Sequence, residues 1–245
     1  FSTIFIYQIE KNMESQKPKI AMYVKRPFGE KLNASFDFLK ENWKLLLKFT
    51  TYLLLPLCLI QALSLNGLMS GALSISAIAS STAMAASSSS LIAFGSYYGL
   101  YMFLYLIGII LLTSLVYGLI RTYNEREERL QGVTLGMLKP RLFRNIKRLL
   151  LMTGACILLV LFVGIFVGLL VALTPFTLFL TIPFIIAFSV PLALLAPIYL
   201  FEDITLMEAF KKTFRLGFAT WGGVFLVSLL MGIIANVLQG VTMMP

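Results

Sequence analysis

Three long stretches of this chain contain no ion at all. Residues 49–120, 149–201 and 216–245 hold neither Lys, Arg, Asp nor Glu. A helix needs about 20 apolar residues to cross a bilayer. The first stretch has room for two crossings and an intervening loop, the second for two, and the third for one. Only 13% of the chain is charged and 59% is hydrophobic, where a soluble domain carries roughly 25% charge. The apolar excess needs hydrocarbon, not water, as its solvent. The expected fold is all-α: a polytopic transmembrane bundle with spans near Trp43–Leu65, Phe94–Ile120, Leu149–Leu173, Phe176–Phe201 and Gly222–Met243. Asn66–Ser90, rich in Ser and Ala, is expected to form an outer loop or a short interfacial segment. Thr174-Pro175 leaves room only for a tight hairpin between the third and fourth spans.

The charges set the sidedness. All 20 Lys and Arg lie in residues 11–48, 121–148 and 211–215, and the 11 acids lie in or beside those blocks. The opposite connections, 66–93 and 172–177, are uncharged. The positive-inside rule then places the blocks and the N-terminus in the cytoplasm of an inner, cytoplasmic-type membrane. Trp43 and Trp221 are candidate interfacial anchors, and Tyr117, Tyr123 and Tyr199 fit the same inner aromatic belt. Tyr97 and Tyr98 fit the outer one. The net charge of +9 is explained by topology and by anionic lipid, so no nucleic-acid partner is expected.

Each block leads into a span through a similar segment. Thr134 and Phe143 match Thr205 and Phe214 in spacing; Ser35, Phe36 and Trp43 match Thr213, Phe214 and Trp221. Leu32, Phe36, Leu39 and Trp43 share one helical face. Thr205 and Glu208 form a capping-box pattern, and Pro140 fits the first turn of the second segment. These segments read as amphipathic interfacial helices; the competing reading is that they are cytoplasmic extensions of the spans. The repeat is one such helix plus a two-span hairpin, over units of about 27–120, 133–201 and 204–245, within a single transmembrane domain of residues 27–245. Residues 1–26 are expected to be a poorly ordered cytoplasmic segment, with Met13 or Met22 as a natural start. The third copy has one span, so a sixth span is expected beyond Pro245.

The run from Pro197 through Glu202, Asp203, Thr205, Glu208, Lys211, Lys212 and Arg215 to Trp221 resembles a segment of bacterial six-span membrane proteins. These include the membrane domain found beside glycerophosphodiester phosphodiesterases. The shared pattern is a Pro-ended span, an acidic pair, a small hydroxyl residue, Glu-Ala, then a basic amphipathic helix. The likeness covers about 25 residues and implies a six-span fold in the inner membrane. The catalytic domain has no counterpart here.

Signals of chemistry are sparse. There is no His, the commonest general base and metal ligand. Cys58 and Cys156 sit singly in apolar runs and read as packing residues. No Walker A loop, dinucleotide fingerprint or HExxH helix is present. Neither a metal nor a cofactor is expected. Glu202 and Asp203 are the most tempting carboxylates, but they read as ion-pair or capping groups at a helix start. Pro56, Pro183, Pro191 and Pro197 are candidate helix kinks, which transporters use to build binding sites. Gly95/Gly99 and Gly164/Gly168 are small-residue pairs suited to close packing. Gln61, Ser64, Ser114, Ser189, Asn236 and Gln239 read as interhelical hydrogen-bonding groups. Arg141, Arg144, Lys147, Arg148, Lys211, Lys212 and Arg215 form the candidate surface for anionic headgroups or a partner. The leading function is non-enzymatic: organising lipid, a membrane-protein partner complex or a homo-oligomer. The competing function is a transporter or lipid-translocating permease centred on the fourth span. An enzyme acting on lipid ranks third.

Overall fold

The computed structural model describes residues 19–21, 24–79, 87–174 and 176–243, with no side-chain description for 74–79, 87–90, 242 and 243. Its helices are α1 (Phe28–Ala79), α2 (Ser87–Glu125), α3 (Leu135–Leu173), α4 (Thr177–Leu192), α5 (Leu195–Glu202), α6 (Leu206–Ala219) and α7 (Trp221–Met243). There is no strand among the described residues.

Five stretches are long and apolar enough to cross a membrane: Phe28–Leu73, Leu91–Glu125, Leu135–Leu173, Thr177–Glu202 and Trp221–Val241. The chain is a multi-pass membrane protein. None of the most apolar 18-residue windows of α3 or α7 is buried by the rest of the chain. Their outward faces carry side chains such as Leu158, Phe162, Leu169, Ile233 and Val237, which water would reject.

The helices are longer than the spans. At 1.5 Å per residue, the 52 residues of α1 reach about 78 Å against a hydrocarbon core of about 30 Å. Its charged first turns therefore lie outside the hydrocarbon. Residues 66–79, expected as part of an outer loop or a short interfacial segment, continue α1. Ala, Leu, Met and Ile outnumber the glycines there and carry the helix on. Residues 80–86 of that expected segment fall outside the described residues.

Helix starts reproduce the repeat. Setting Phe36 on Phe214 aligns Phe28 with Leu206, and setting Thr134 on Thr205 aligns Leu135 with Leu206. These three residues begin α1, α6 and α3. In each, the residue before the helix offers its carbonyl to the N–H four positions on: Pro27 to Lys31, Thr134 to Leu138, Thr205 to Ala209, at 3.2, 3.4 and 2.9 Å. The copies then diverge. α1 and α3 run unbroken into their spans, as extensions, while α6 ends at Ala219 and α7 begins at Trp221. The reason is local: Gly217, Thr220, Gly222 and Gly223 are weak helix formers, whereas Leu39–Leu45 and Ile146–Met152 hold strong ones. Pro140 lies in the second turn of α3, not the first, because α3 starts at Leu135.

The described residues divide into two compact units: those within Phe1–Glu41, Tyr123–Arg129 and Lys147–Pro245 form one, those within Asn42–Thr122 and Leu130–Ile146 the other. In the second unit α1 meets α2 where glycine permits. A Cβ on Gly67 would fall 2.6 Å from the Tyr97 ring, and one on Gly108 3.1 Å from Leu57. Ser114 donates to the Leu142 carbonyl at 3.0 Å, and Asn145 donates to the Ser114 carbonyl at 3.3 Å. These bonds tie α2 to the first turns of α3. Arg141 donates to the Thr122 hydroxyl at 3.0 Å.

In the first unit, Glu41 accepts from Arg129 at 2.7 Å and from the Tyr123 hydroxyl at 3.1 Å. Tyr123 is fully enclosed and meets Phe38 edge to face. Lys19 caps the end of α2 by donating to the Asn124 and Arg126 carbonyls at 2.5 and 3.1 Å, a cation at a helix C-terminus. Lys19 is thus tied down, while residues 1–18 lie outside the described residues.

Candidate functional site at the broken fourth span

The fourth span is two helices. α4 ends at Leu192 and α5 starts at Leu195. Between them the backbone tightens to three-residue hydrogen bonds, Ala193 N–H to the Val190 carbonyl at 3.2 Å and Leu194 N–H to the Pro191 carbonyl at 2.9 Å. Proline is the cause. Pro191 has no N–H to give the Ala187 carbonyl, and Pro197 has none for Ala193. A carbonyl left bare in hydrocarbon is costly, and the chain answers at Ala187: the Trp221 indole N–H donates to it at 3.1 Å. The ring is held flat against Phe225, centroids 5.0 Å apart.

α6 packs on this break. Residues 209, 213, 217 and 221 recur every fourth position, hence on one face. Ala209 and Thr213 have no exposed surface. At Gly217 the approach is closest: a Cβ there would lie 2.6 Å from Cα and Cβ of Pro191. Only glycine lets the two backbones meet. Phe188 of α4 completes the contact, with ring centroids 5.8 and 5.4 Å from Phe214 and Phe218. Leu195, Tyr199 and Ala209 form a buried core, flanked by Met152, Cys156, Ile204 and Phe210.

The end of the span is stapled by Arg148 of α3. Its guanidinium donates to the Asp203 carboxylate at 2.9 Å and to the Tyr199 and Ile204 carbonyls, both at 2.7 Å. It also lies 4.2 Å above the Tyr199 ring. Tyr199 offers one of the four carbonyls that a helix leaves unpaired at its C-terminus. The planar fork of arginine serves acceptors in different directions, which a lysine ammonium does less well. Asp203 closes α5 in a left-handed conformation, φ 52°, a region Asp tolerates better than most residues.

The acidic pair therefore ends a helix where the sequence suggested that it starts one. Its ion-pair role is present: Asp203 with Arg148, and Glu202 with Lys212 at 2.6 Å. The expected capping box exists. Glu208 N–H donates to the Thr205 hydroxyl at 3.4 Å and Thr205 N–H to the Glu208 carboxylate at 3.1 Å. Hydrogen bonds with Thr205, side chain first and backbone second, hold the Glu208 carboxyl below its ordinary value of 4.5.

The remaining predicted residues are distributed as follows. Lys147, Arg144, Lys211 and Arg215 are exposed; Arg141, Arg148 and Lys212 are half-buried. Trp43 stands largely exposed. Trp221 is half-buried and its indole is the internal cap on the Ala187 carbonyl. Tyr123 and Tyr199 are buried in protein. Pro56 and Pro183 lie inside α1 and α4 without ending them. Gly95, Gly99, Gly164 and Gly168 face no close neighbour. Ser64, Ser189 and Asn236 donate to carbonyls of their own helices; of the expected polar set, Ser114 bonds across helices. Among the described residues no three His, Cys, Asp or Glu side chains converge as a metal site would require.

Sequence reasoning missed the Gly217–Pro191 contact, the indole cap on Ala187 and the staple by Arg148. The first two had a signal: Pro191 names the carbonyl it frees, and small residues every fourth position in α6 mark a close-packing face. No family model, curated protein or solved structure matches the chain.

Proposed function

We propose that this is an inner-membrane protein, N-terminus in the cytoplasm, that organises anionic lipid through α6 instead of catalysing a reaction. One observation carries the reading. On a helix of 100° per residue, Met207, Phe218, Lys211 and Arg215 fall on one face, and all four are exposed. The opposite face is the one buried on the fourth span. A helix bonded to a span, presenting cations interleaved with apolar side chains, is matched to the headgroup level. Lys147 at the start of the third span adds a further exposed cation. The resemblance of residues 197–221 to bacterial six-span membrane proteins supports the same placement. A transport role has less support, because Pro191, at the break that would form a pathway, is fully enclosed.

The test is lipid selectivity at the protein surface. Spin-labelled phosphatidylglycerol should be preferred over phosphatidylcholine by the purified protein in mixed vesicles. Each cation near the surface contributes about 1 kcal/mol, so the double variant Lys211→Gln, Arg215→Gln should lower that preference by up to about 30-fold. Equal preference before and after the change refutes the reading. Cysteine labelling that placed residues 126 and 211 on opposite faces of the membrane would refute the topology.

A further inference from the structure

We infer that the break in the fourth span is a hinge whose bend is set by α6, so that anionic lipid bound at α6 alters the angle between α4 and α5. The inference rests on the lipid reading above and adds a consequence inside the membrane. Three features carry it. First, the break is soft along its own backbone: Pro191 and Pro197 bracket it, and the bonds across it are the two short-range ones at Ala193 and Leu194. Second, what holds it is supplied from outside the span. Gly217 rests on Pro191, the Phe188 ring meets Phe214 and Phe218, and the Trp221 indole holds the Ala187 carbonyl. All of these belong to α6 or to the residue that begins α7.

Third, α6 is a rigid lever with a free outer side. Its first turn is locked by the Thr205–Glu208 capping box, and Thr205 follows directly on the turn that Arg148 staples. Thr220 alone separates it from α7. The outer side carries Lys211 and Arg215. A force on those cations therefore reaches Gly217 and Trp221 within one or two turns of the same helix. Buried Thr213, whose hydroxyl has no hydrogen-bond partner, sits in the same face between Ala209 and Gly217.

The experiment measures the bend directly. Nitroxide labels at Leu180→Cys in α4 and Glu202→Cys at the end of α5, with Cys58→Ala and Cys156→Ala, report the distance by pulsed electron resonance in nanodiscs. Leu180 and Glu202 are both exposed. From Pro191 to Leu180 is about 16 Å of helix, so a 20° change of bend moves the label by about 6 Å. Replacing phosphatidylcholine by a mixture with phosphatidylglycerol should shift the distance by several ångströms. Lys211→Gln, Arg215→Gln lies on the surface, leaves the packing untouched, and should abolish the shift. Trp221→Phe keeps an aromatic ring but loses the N–H; it should abolish the shift while leaving lipid selectivity intact, and a shift that persists in it overturns the role of the indole in setting the bend. A parent protein that selects anionic lipid yet shows one unchanging distance overturns the hinge and leaves the lipid reading standing. A parent that shows no selectivity overturns the lipid reading, and the hinge as stated falls with it. A shift that persists in the double surface variant overturns the coupling through α6.

Discussion

Gly217→Ala should destabilise this protein, although the same change in an ordinary helix stabilises. In an open helical position the exchange gains about 0.8–1 kcal/mol, because alanine loses less backbone entropy than glycine. At residue 217 the new Cβ would stand 2.6 Å from Cα and Cβ of Pro191, where carbon atoms prefer about 3.5–4.0 Å. The obstacle is backbone and a rigid ring, so no rotamer change relieves it. α6 must move off α4 by about 1 Å, loosening the Phe188 contacts and the indole cap together. Overpacking of this kind costs about 1–3 kcal/mol, with larger values on record. Less the propensity gain, the net loss is at most about 2 kcal/mol, or up to about 8 °C in Tm for a chain of this size. Thermal unfolding in mild detergent measures it, with Gly154→Ala in α3 as control, since a Cβ there meets nothing within 4 Å. The control should keep or raise Tm. If Gly217→Ala matched Gly154→Ala, the close approach of α6 to Pro191 would be wrong, and with it the account of the break.

Trp221→Phe should cost about 1–3 kcal/mol by leaving the Ala187 carbonyl unpaired. Pro191→Ala gives that carbonyl a partner in its own helix, so the double variant should lose less than the sum of the single losses; an additive cycle in detergent unfolding refutes the indole cap. Arg148→Lys keeps the charge but loses the fork that serves Asp203, Tyr199 and Ile204, and should destabilise by about 1.5–3 kcal/mol. Glu202→Gln should change stability by less than about 1 kcal/mol, because the pair with Lys212 is a surface one. Glu208 titrates lower in the folded protein than its ordinary 4.5. Its contribution is present above that value and is lost as pH falls below it through the depressed value. Circular dichroism of acid unfolding should show this dependence weakened in Thr205→Ala, which itself costs about 1 kcal/mol of cap.

The spans were legible because the ions are so unevenly placed. Ion-free stretches of such length leave few alternatives, and the five apolar stretches fall where hydropathy puts them. The capping box of α6 was legible too, since Thr205 and Glu208 carry its chemistry in their spacing. What the sequence hid falls into two kinds. Helix ends were misjudged where small polar residues suggested an outer loop or a short interfacial segment: 66–79 remain helical, because Ala, Leu, Met and Ile there outweigh the serines and glycines. Partners across the fold were invisible. Nothing local to Arg148 says that it serves the end of α5, and nothing local to Tyr199 says that its ring lies beneath that guanidinium.

The repeat explains why the third copy is the one with a candidate site. All three copies start a helix at the equivalent residue, and all three are basic. In the first two, strong helix formers carry the amphipathic segment straight into the span, so each moves as one rod. In the third, Gly217, Thr220, Gly222 and Gly223 break the rod into α6 and α7. The same glycine that weakens the helix admits Pro191, and the tryptophan that opens α7 satisfies the carbonyl which Pro191 exposes. Weak helix propensity in α6 and a missing N–H in α4 are each unfavourable alone. Together they define a joint in which one element repairs the other. That mutual dependence is why a change at residue 217 or 221 should be felt in the bend of a span to which neither belongs.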